Sequence, residues 1–153
     1  MKITIDNLFE ASEKYICHQC NCITNRAAHL AADMFQRFPH ANIYAERTKP
    51  DNPGTIIIRG NGKDQRFVIA LLAQYYPGRP KYPDGDRDGY LARRLYFRSC
   101  LNEILKIPNL ESIAFPEKIG CSAAGGDWGQ YQNMIEEFAK ATDATVNAYR
   151  LPS

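Results

Sequence analysis

Apolar positions along the chain recur at two periods, and the switches between the periods predict its elements. Lys2-Ile3-Thr4-Ile5 alternates and predicts a short strand, and Tyr15 to Cys20 predicts a second with a polar residue at its end. Ala27 to Phe38 carries Leu30, Met34, Phe35 and Phe38 at spacings of three and four, a helix that Pro39 stops. His40 to Gly54 is polar, contains Pro50 and Pro53, and predicts a loop. Thr55 to Arg59 and Arg66 to Leu72 read as strands around an Asn61-Gly62 turn, the second a continuous apolar run suited to burial on both faces. Tyr75 to Asp88 is rich in Pro, Gly and Tyr, and is too long for a mere connection. Gly89 to Ile107 predicts the longest helix, with Leu91, Leu95, Leu101, Ile104 and Leu105 facing inward. Ser112 to Phe115 predicts a strand, Lys118 to Asp127 a small-residue loop, and Trp128 to Ala141 a helix buried through Tyr131, Met134, Ile135 and Phe138. Val146 to Leu151 predicts the last strand. The order β-β-α-β-β-α-β-α-β predicts an α/β fold with a mixed sheet sandwiched between helices, one domain over residues 1–153.

Composition narrows the classes of function. A chain of 153 residues with 44% hydrophobic and 24% charged residues can bury a core without a staple, which excludes disorder. A net charge of +2 is too small for an extended nucleic-acid footprint, although Arg93, Arg94 and Arg98 could form a local basic face. No apolar run approaches the ~20 residues of a membrane span, and the Met1 to Ile5 stretch is too short for a signal peptide, so a soluble cytoplasmic protein without membrane partners is expected. Cys17, Cys20 and Cys22 crowd around His18, but Cys100 and Cys121 stand alone and no second ligand pair follows. Reduced thiols account for this better than zinc, and no metal or redox cofactor is expected.

Two stretches carry candidate chemistry. Pro116 to Trp128 follows an apolar strand, has almost no side-chain bulk, and opens into a helix. Such a unit aims backbone N–H groups and the positive end of a helix at one point, which suits a phosphate; a tight turn that merely needs glycines is the alternative. His18-Gln19-Cys20-Asn21-Cys22 leaves a strand and leads through Ile23 to Arg26 into a helix. There His18 could serve as general acid or base and Asn21 could bond sugar hydroxyls, or both could be satisfied structural residues. Two strand ends with such loops suggest one crevice at the carboxyl edge of the sheet.

Over nearly its whole length the chain resembles the macrodomain family, the ADP-ribose-binding fold. His18-x-Cys20-Asn21-Cys22, then Leu30-Ala31 and a helix closing on Phe38-Pro39, is similar to the ADP-ribose-1''-phosphate phosphatase branch and to stand-alone phage and viral macrodomains. Ile119-Gly120-Cys121 followed by Gly125 and Trp128 resembles the family's phosphate-binding loop and the helix after it. The resemblance implies that Gly120, Cys121, Ser122, Ala123, Ala124, Gly125 and Gly126 wrap a diphosphate beside Trp128. It places Asn21, with Gln19, Cys22, Ala28 and His29, around the distal ribose, and His18 in a catalytic position. Asn7, or equally Asp6, would bond the adenine amine, and the 74–78 loop with Tyr75 and Tyr76 would wall the pocket.

The chain also departs from the family. Ala27-Ala28-His29 stands where glycines are usual, and Ser122 replaces a further glycine. Position 124, where one subgroup has an acid, is alanine; Asp127 is the nearest substitute, and could instead cap the following helix. The expected activity is hydrolysis of a bond at the distal ribose of ADP-ribose or a derivative, with His18 and Asp127 as catalytic residues. Expected partners are ADP-ribose or another NAD-derived nucleotide and an ADP-ribosylated protein or nucleic acid, bound by a monomer. The rivals are a non-catalytic reader or sponge for the nucleotide, a cysteine hydrolase pairing Cys22 or Cys121 with His18 or His29, and an RNA-binding module.

Overall fold

Strands form where the alternation and the apolar runs predict them: β1 (Lys2–Ile5), β2 (Tyr15–Gln19), β3 (Ile56–Arg59), β4 (Phe67–Leu71), β5 (Ser112–Pro116) and β6 (Thr145–Arg150). The computed structural model describes residues 1–150, so Leu151, predicted as the end of the last strand, lies outside the described residues. One sheet runs β1-β6-β5-β2-β4-β3, parallel throughout except for the β3–β4 hairpin around Asn61-Gly62. Both faces are covered, as a mainly parallel sheet requires. On one face lie α3 (Tyr90–Leu105) and α4 (Trp128–Ala141), which contribute Phe97, Leu101, Ile104, Met134, Ile135 and Phe138 to a core with Ile69, Leu71 and Ile113. On the other lie α1 (His29–Arg37) and α2 (Ile43–Glu46), which bring Met34, Phe35, Ile43 and Tyr44 onto Ile16, Val68 and Leu72. The result is the three-layer α/β/α sandwich with a mixed sheet. Among the described residues no helix is long and apolar enough to cross a membrane.

Two predictions about elements need correction. The 40–54 segment is not all loop: a 3-10 turn (Pro39–Ala41) and α2 interrupt it, the latter begun by Asn42, whose Oδ1 accepts from the Ala45 N–H at 3.1 Å. Helix α3 is rotated relative to its predicted face. Leu101 and Ile104 are buried as expected, but Leu91 and Leu95 are 61% and 58% exposed and Leu105 is also exposed, while Arg93, Phe97 and Cys100 are buried in their place. Both sets recur at helical spacing, so periodicity alone could not choose between them.

A buried ion pair makes the choice. Arg93, 1% exposed, donates from Nε and Nη2 to the two carboxylate oxygens of Asp88 at 3.1 and 2.6 Å. Its remaining donors reach the carbonyls of Gly78 (2.7 Å) and Tyr76 (3.1 Å), and Asp88 also accepts from the N–H groups of Tyr75 and Tyr76. Arg93 therefore belongs to the interior and not to a basic face with Arg94 and Arg98. The pair turns α3 so that position 93 faces in, and ties the 75–88 segment to the carboxyl edge of the sheet.

Removing one member of such a pair strands the other charge in a buried place. Arg93→Met is expected to cost about 3–5 kcal/mol in urea denaturation. The Asp88→Asn/Arg93→Met double variant should lose less than the sum of the two single variants. Additive losses would show that the pair does not set this packing.

Candidate functional site

Three strand ends build the site. The carboxyl ends of β2, β4 and β5 lie side by side, and the chain leaving each contributes to a cleft of about 240 Å³. Gln19 and Asn21 come from β2, Gln74, Pro77 and Gly78 from the segment after β4, and Pro116 to Ala124 from β5 and its loop. Arg26, Ala28, His29 and Leu30, at the entry to α1, close the cleft with Tyr44 of α2. A second compartment of about 600 Å³ adjoins it, sharing Leu30, Pro116, Glu117, Lys118 and Ser122, and is lined further by Ile3, Leu8, Trp128, Gln132, Tyr149 and Arg150. The second compartment falls in the size range of small-molecule sites, roughly 300–1,000 Å³, and the cleft beside it is somewhat smaller.

The loop after β5 is fixed from beneath by close packing. Gly120 has φ 76°, and a Cβ there would lie 2.6 Å from the Tyr131 ring and 2.9 Å from Gln19 Oε1. At Gly126 a Cβ would meet the Gly120 carbonyl at 2.6 Å and the same ring at 2.8 Å. These glycines thus let the loop sit down on Tyr131, and Gly126 lines neither compartment. Gly125 likewise faces away from the cleft, against the Arg79 side chain. Within the loop, Cys121 donates its N–H to Lys118, Gly125 to Ser122 and Gly126 to Gly120. The N–H groups of Gly120, Ser122, Ala123 and Ala124 reach no backbone or side-chain acceptor among the described residues, and all four residues line the cleft. An array of free N–H groups before the first turn of α4 is chemically suited to an anion.

The polar groups opposite are held by a network. Asn21 donates its N–H to the Tyr44 hydroxyl at 2.8 Å, while its Oδ1 accepts from the N–H groups of Ile23 and Thr24 and from the Thr24 hydroxyl. Arg47, paired with Asp51, donates to the Asn21 carbonyl at 2.8 Å. Gln19 donates to Gln74 Oε1 at 2.8 Å, and Gln74 donates to the Tyr76 carbonyl. Gln19 Oε1 is left buried at the cleft without a donor. An acceptor in that state is costly unless something else supplies a hydrogen. Among the charges, Arg26 and Lys118 are cationic, whereas Glu117 is neutralised by Arg150 at 2.7 and 2.8 Å, which holds its carboxyl below the ordinary range.

Of the residues singled out in the sequence, the cleft gathers Gln19, Asn21, Ala28, His29, Gly120, Cys121, Ser122, Ala123 and Ala124, with Trp128 on the adjoining compartment. Others lie elsewhere. Asn7 lines neither compartment; it caps the 3-10 turn at Leu8–Glu10 by accepting from the Phe9 N–H. Cys22 is fully buried in the core beneath α1. Tyr75 packs under the Arg87 guanidinium, 4.1 Å from its ring centre, and Tyr76 is 40% exposed; Gln74, Pro77 and Gly78 line the cleft instead of the two tyrosines. Asp127 occupies the N-cap position of α4 but makes no capping bond, and it does not reach the cleft either. Tyr44 and Arg26 went unnoticed in the sequence. Asn42, a helix-capping residue just before the apolar Ile43-Tyr44 pair, is the signal that could have drawn attention to Tyr44.

His18 is the main correction. Alternation along β2 turns it away from the cleft and into the core, edge-on to Phe35 with ring centres 5.3 Å apart. It has no exposed surface, and its polar neighbour is the Cys20 thiol at 3.6 Å. Burial pushes its pKa down to about 4, so it is neutral and out of reach of a bound molecule. Burial also pushes the thiols of Cys22 and Cys121 up to about 12, which leaves neither as a thiolate near neutral pH and removes the basis for a cysteine nucleophile.

A histidine depressed on folding favours the folded state above the unfolded pKa near 6.5, and this contribution is lost as pH falls toward about 4. At 1.36 kcal/mol per unit the effect is about 3 kcal/mol. Denaturation at a series of pH values should show that fall, and His18→Leu should flatten it. An unchanged slope in the variant would show that His18 titrates alike in both states.

No family model matches the chain, and no curated protein matches it in sequence. Solved structures do match in shape. The macrodomain of Mycobacterium tuberculosis DarG superimposes with a TM-score of 0.73 at 19% identity, covering 99% of this chain and 98% of that one. That of Thermus aquaticus DarG gives 0.73 at 20% identity over 99% and 97%. Thermosipho africanus DarTG, solved in complex with ADP-ribose, gives 0.70 at 14% identity over 95% of this chain and 40% of that one. Superimposing on these structures over nearly its whole length, this chain has the macrodomain fold.

Proposed function

We propose that the protein binds ADP-ribose or a close derivative in the cleft and hydrolyses a bond at its distal ribose. The observation that carries the binding is the set of unengaged N–H groups at Gly120, Ser122, Ala123 and Ala124, on a fold shared with part of the Thermosipho protein that was solved in complex with ADP-ribose. A diphosphate suits these groups and the cationic Arg26 and Lys118. The adjoining compartment, with Ile3, Leu8, Trp128 and Tyr149, offers the apolar and aromatic surface a nucleobase requires. Once the diphosphate and ribose are held, hydrolysis needs chiefly a water placed against C1''. The other partner is then an ADP-ribosylated macromolecule or an ADP-ribose monoester.

A binding-only reading, a reader or sponge for the nucleotide, is favoured by one observation: neither His18 nor Asp127 faces the cleft, and position 124 presents a methyl group. Product formation under single-turnover conditions separates the two readings.

Calorimetry with ADP-ribose, AMP, NAD and ADP-ribose-1''-phosphate tests the binding. ADP-ribose should bind in the micromolar range, about −8 kcal/mol, and AMP more weakly. Ala123→Glu puts bulk and negative charge into the loop from an exposed position, and should abolish ADP-ribose binding while leaving the circular dichroism spectrum unchanged. A folded variant that binds normally would show that the loop is only a turn.

A further inference from the structure

We infer that His29 is the proton acceptor of the hydrolytic step, an assignment that rests on the hydrolase reading above. His29 has φ 54°, in the left-handed region that side chains other than glycine rarely occupy. Strain of this kind persists where surrounding structure over-determines it, and such residues cluster at functional sites. Here the determining structure is visible. Ala28 arrives in extended conformation (φ −139°, ψ 162°), and α1, anchored by Ala31, Met34 and Phe35, begins at once. The chain must turn sharply at position 29, and this holds an exposed imidazole at the lip of the cleft, with no hydrogen-bond partner among the described residues.

The other groups around the cleft are poorly placed to accept a proton near neutral pH. Arg26 and Lys118 are cations, and Glu117 is occupied by Arg150. The Tyr44 hydroxyl accepts the Asn21 N–H from a buried position, and the Cys121 thiol is turned to the Ile119 carbonyl at 3.3 Å. Imidazole is the side chain suited to proton exchange in that range. His29 is therefore the cleft residue equipped to do what a buried His18 cannot.

A water oxygen forms a bond to C1'' of the distal ribose as the bond from C1'' to the leaving oxygen breaks, and the electron pair of that bond departs with the leaving group. The proton lost by the water passes to a ring nitrogen of His29 and then to solvent, to which the cleft is open. With a carboxylate as leaving group no other proton is needed, and the products are ADP-ribose, the free carboxylate and one proton.

The decisive variant is His29→Gly, because glycine accepts the left-handed backbone and leaves the fold intact. Its substrate is ADP-ribose esterified at C1'' to a carboxylic acid, assayed beside ADP-ribose binding by calorimetry. The expected result is ADP-ribose affinity within about threefold of wild type, turnover lower by ~10²–10⁴-fold, and partial recovery of turnover on adding imidazole. Wild-type rates in His29→Gly, binding lost together with turnover, or no recovery with imidazole would each overturn the assignment. If the wild type binds ADP-ribose but turns over neither the ester nor ADP-ribose-1''-phosphate, the hydrolase reading fails and His29 with it. Turnover that is equal in wild type and variant removes His29 alone.

Discussion

The Asp88–Arg93 pair is the contact that ties the segment leaving β4, one wall of the cleft, to helix α3. Its carboxylate gathers the N–H groups of Tyr75 and Tyr76, and its guanidinium gathers the carbonyls of Tyr76 and Gly78. Four backbone groups of a segment rich in Pro and Gly are thereby satisfied inside the protein, where an unpaired polar group would be expensive. The long segment leaving β4 has little apolar area of its own to bury; Tyr76, Pro77, Gly78 and Arg79 are all exposed. Its position is consequently set by hydrogen bonds. Because Arg93 belongs to α3, the same pair fixes which face of that helix meets the sheet and leaves Leu91 and Leu95 in solvent.

The facing wall is held by a different kind of force. Residues 120–126 sit on the ring of Tyr131, itself packed against Phe97 at 4.8 Å between ring centres. Contact between backbone and aromatic ring at this range leaves no room for Cβ atoms at positions 120 and 126. The glycines therefore serve the packing under the loop, while Ser122, Ala123 and Ala124, which line the cleft beside Gly120, stand where side chains are tolerated. One wall is thus secured by ionic hydrogen bonding and the other by shape, with Gln19 and Gln74 bonded to each other between them.

Most of the fold was legible in the sequence because its elements obey simple periods. The β4 apolar run, the Asn61-Gly62 turn and the buried face of α4 all appear where periodicity puts them. What stayed hidden turned on parity and phase. His18 and Gln19 are adjacent, and only the facing of β2 decides which of them enters the core; the motif drew attention to the histidine, while the strand delivers the glutamine to the cleft. Helix α3 carries two apolar stripes, and a charged residue inside it selects between them, the reverse of what hydrophobicity alone predicts. Tyr44 lies on a helix of one turn, too short for any periodic pattern. The small-residue loop could be recognised by composition, but which of its N–H groups remain free is a matter of backbone geometry.

That geometry explains how binding and chemistry can part company on this fold. An anion cradle made of N–H groups depends on the path of the backbone and is nearly indifferent to side chains, provided that glycines remain where the ring of Tyr131 comes close. Hence Ser122, Ala123 and Ala124 can replace other small residues without closing the cradle, and the fold superimposes on solved macrodomains at identities of 14–20%. Proton transfer has no such latitude, because it requires one particular side chain at one place. At the lip of the cleft, Ala28 and His29 add side chains around a sharp backbone turn, and His29 occupies it at a conformational cost that glycine would avoid. The side chain at that turn is where the proposed hydrolysis, unlike the binding, would stand or fall.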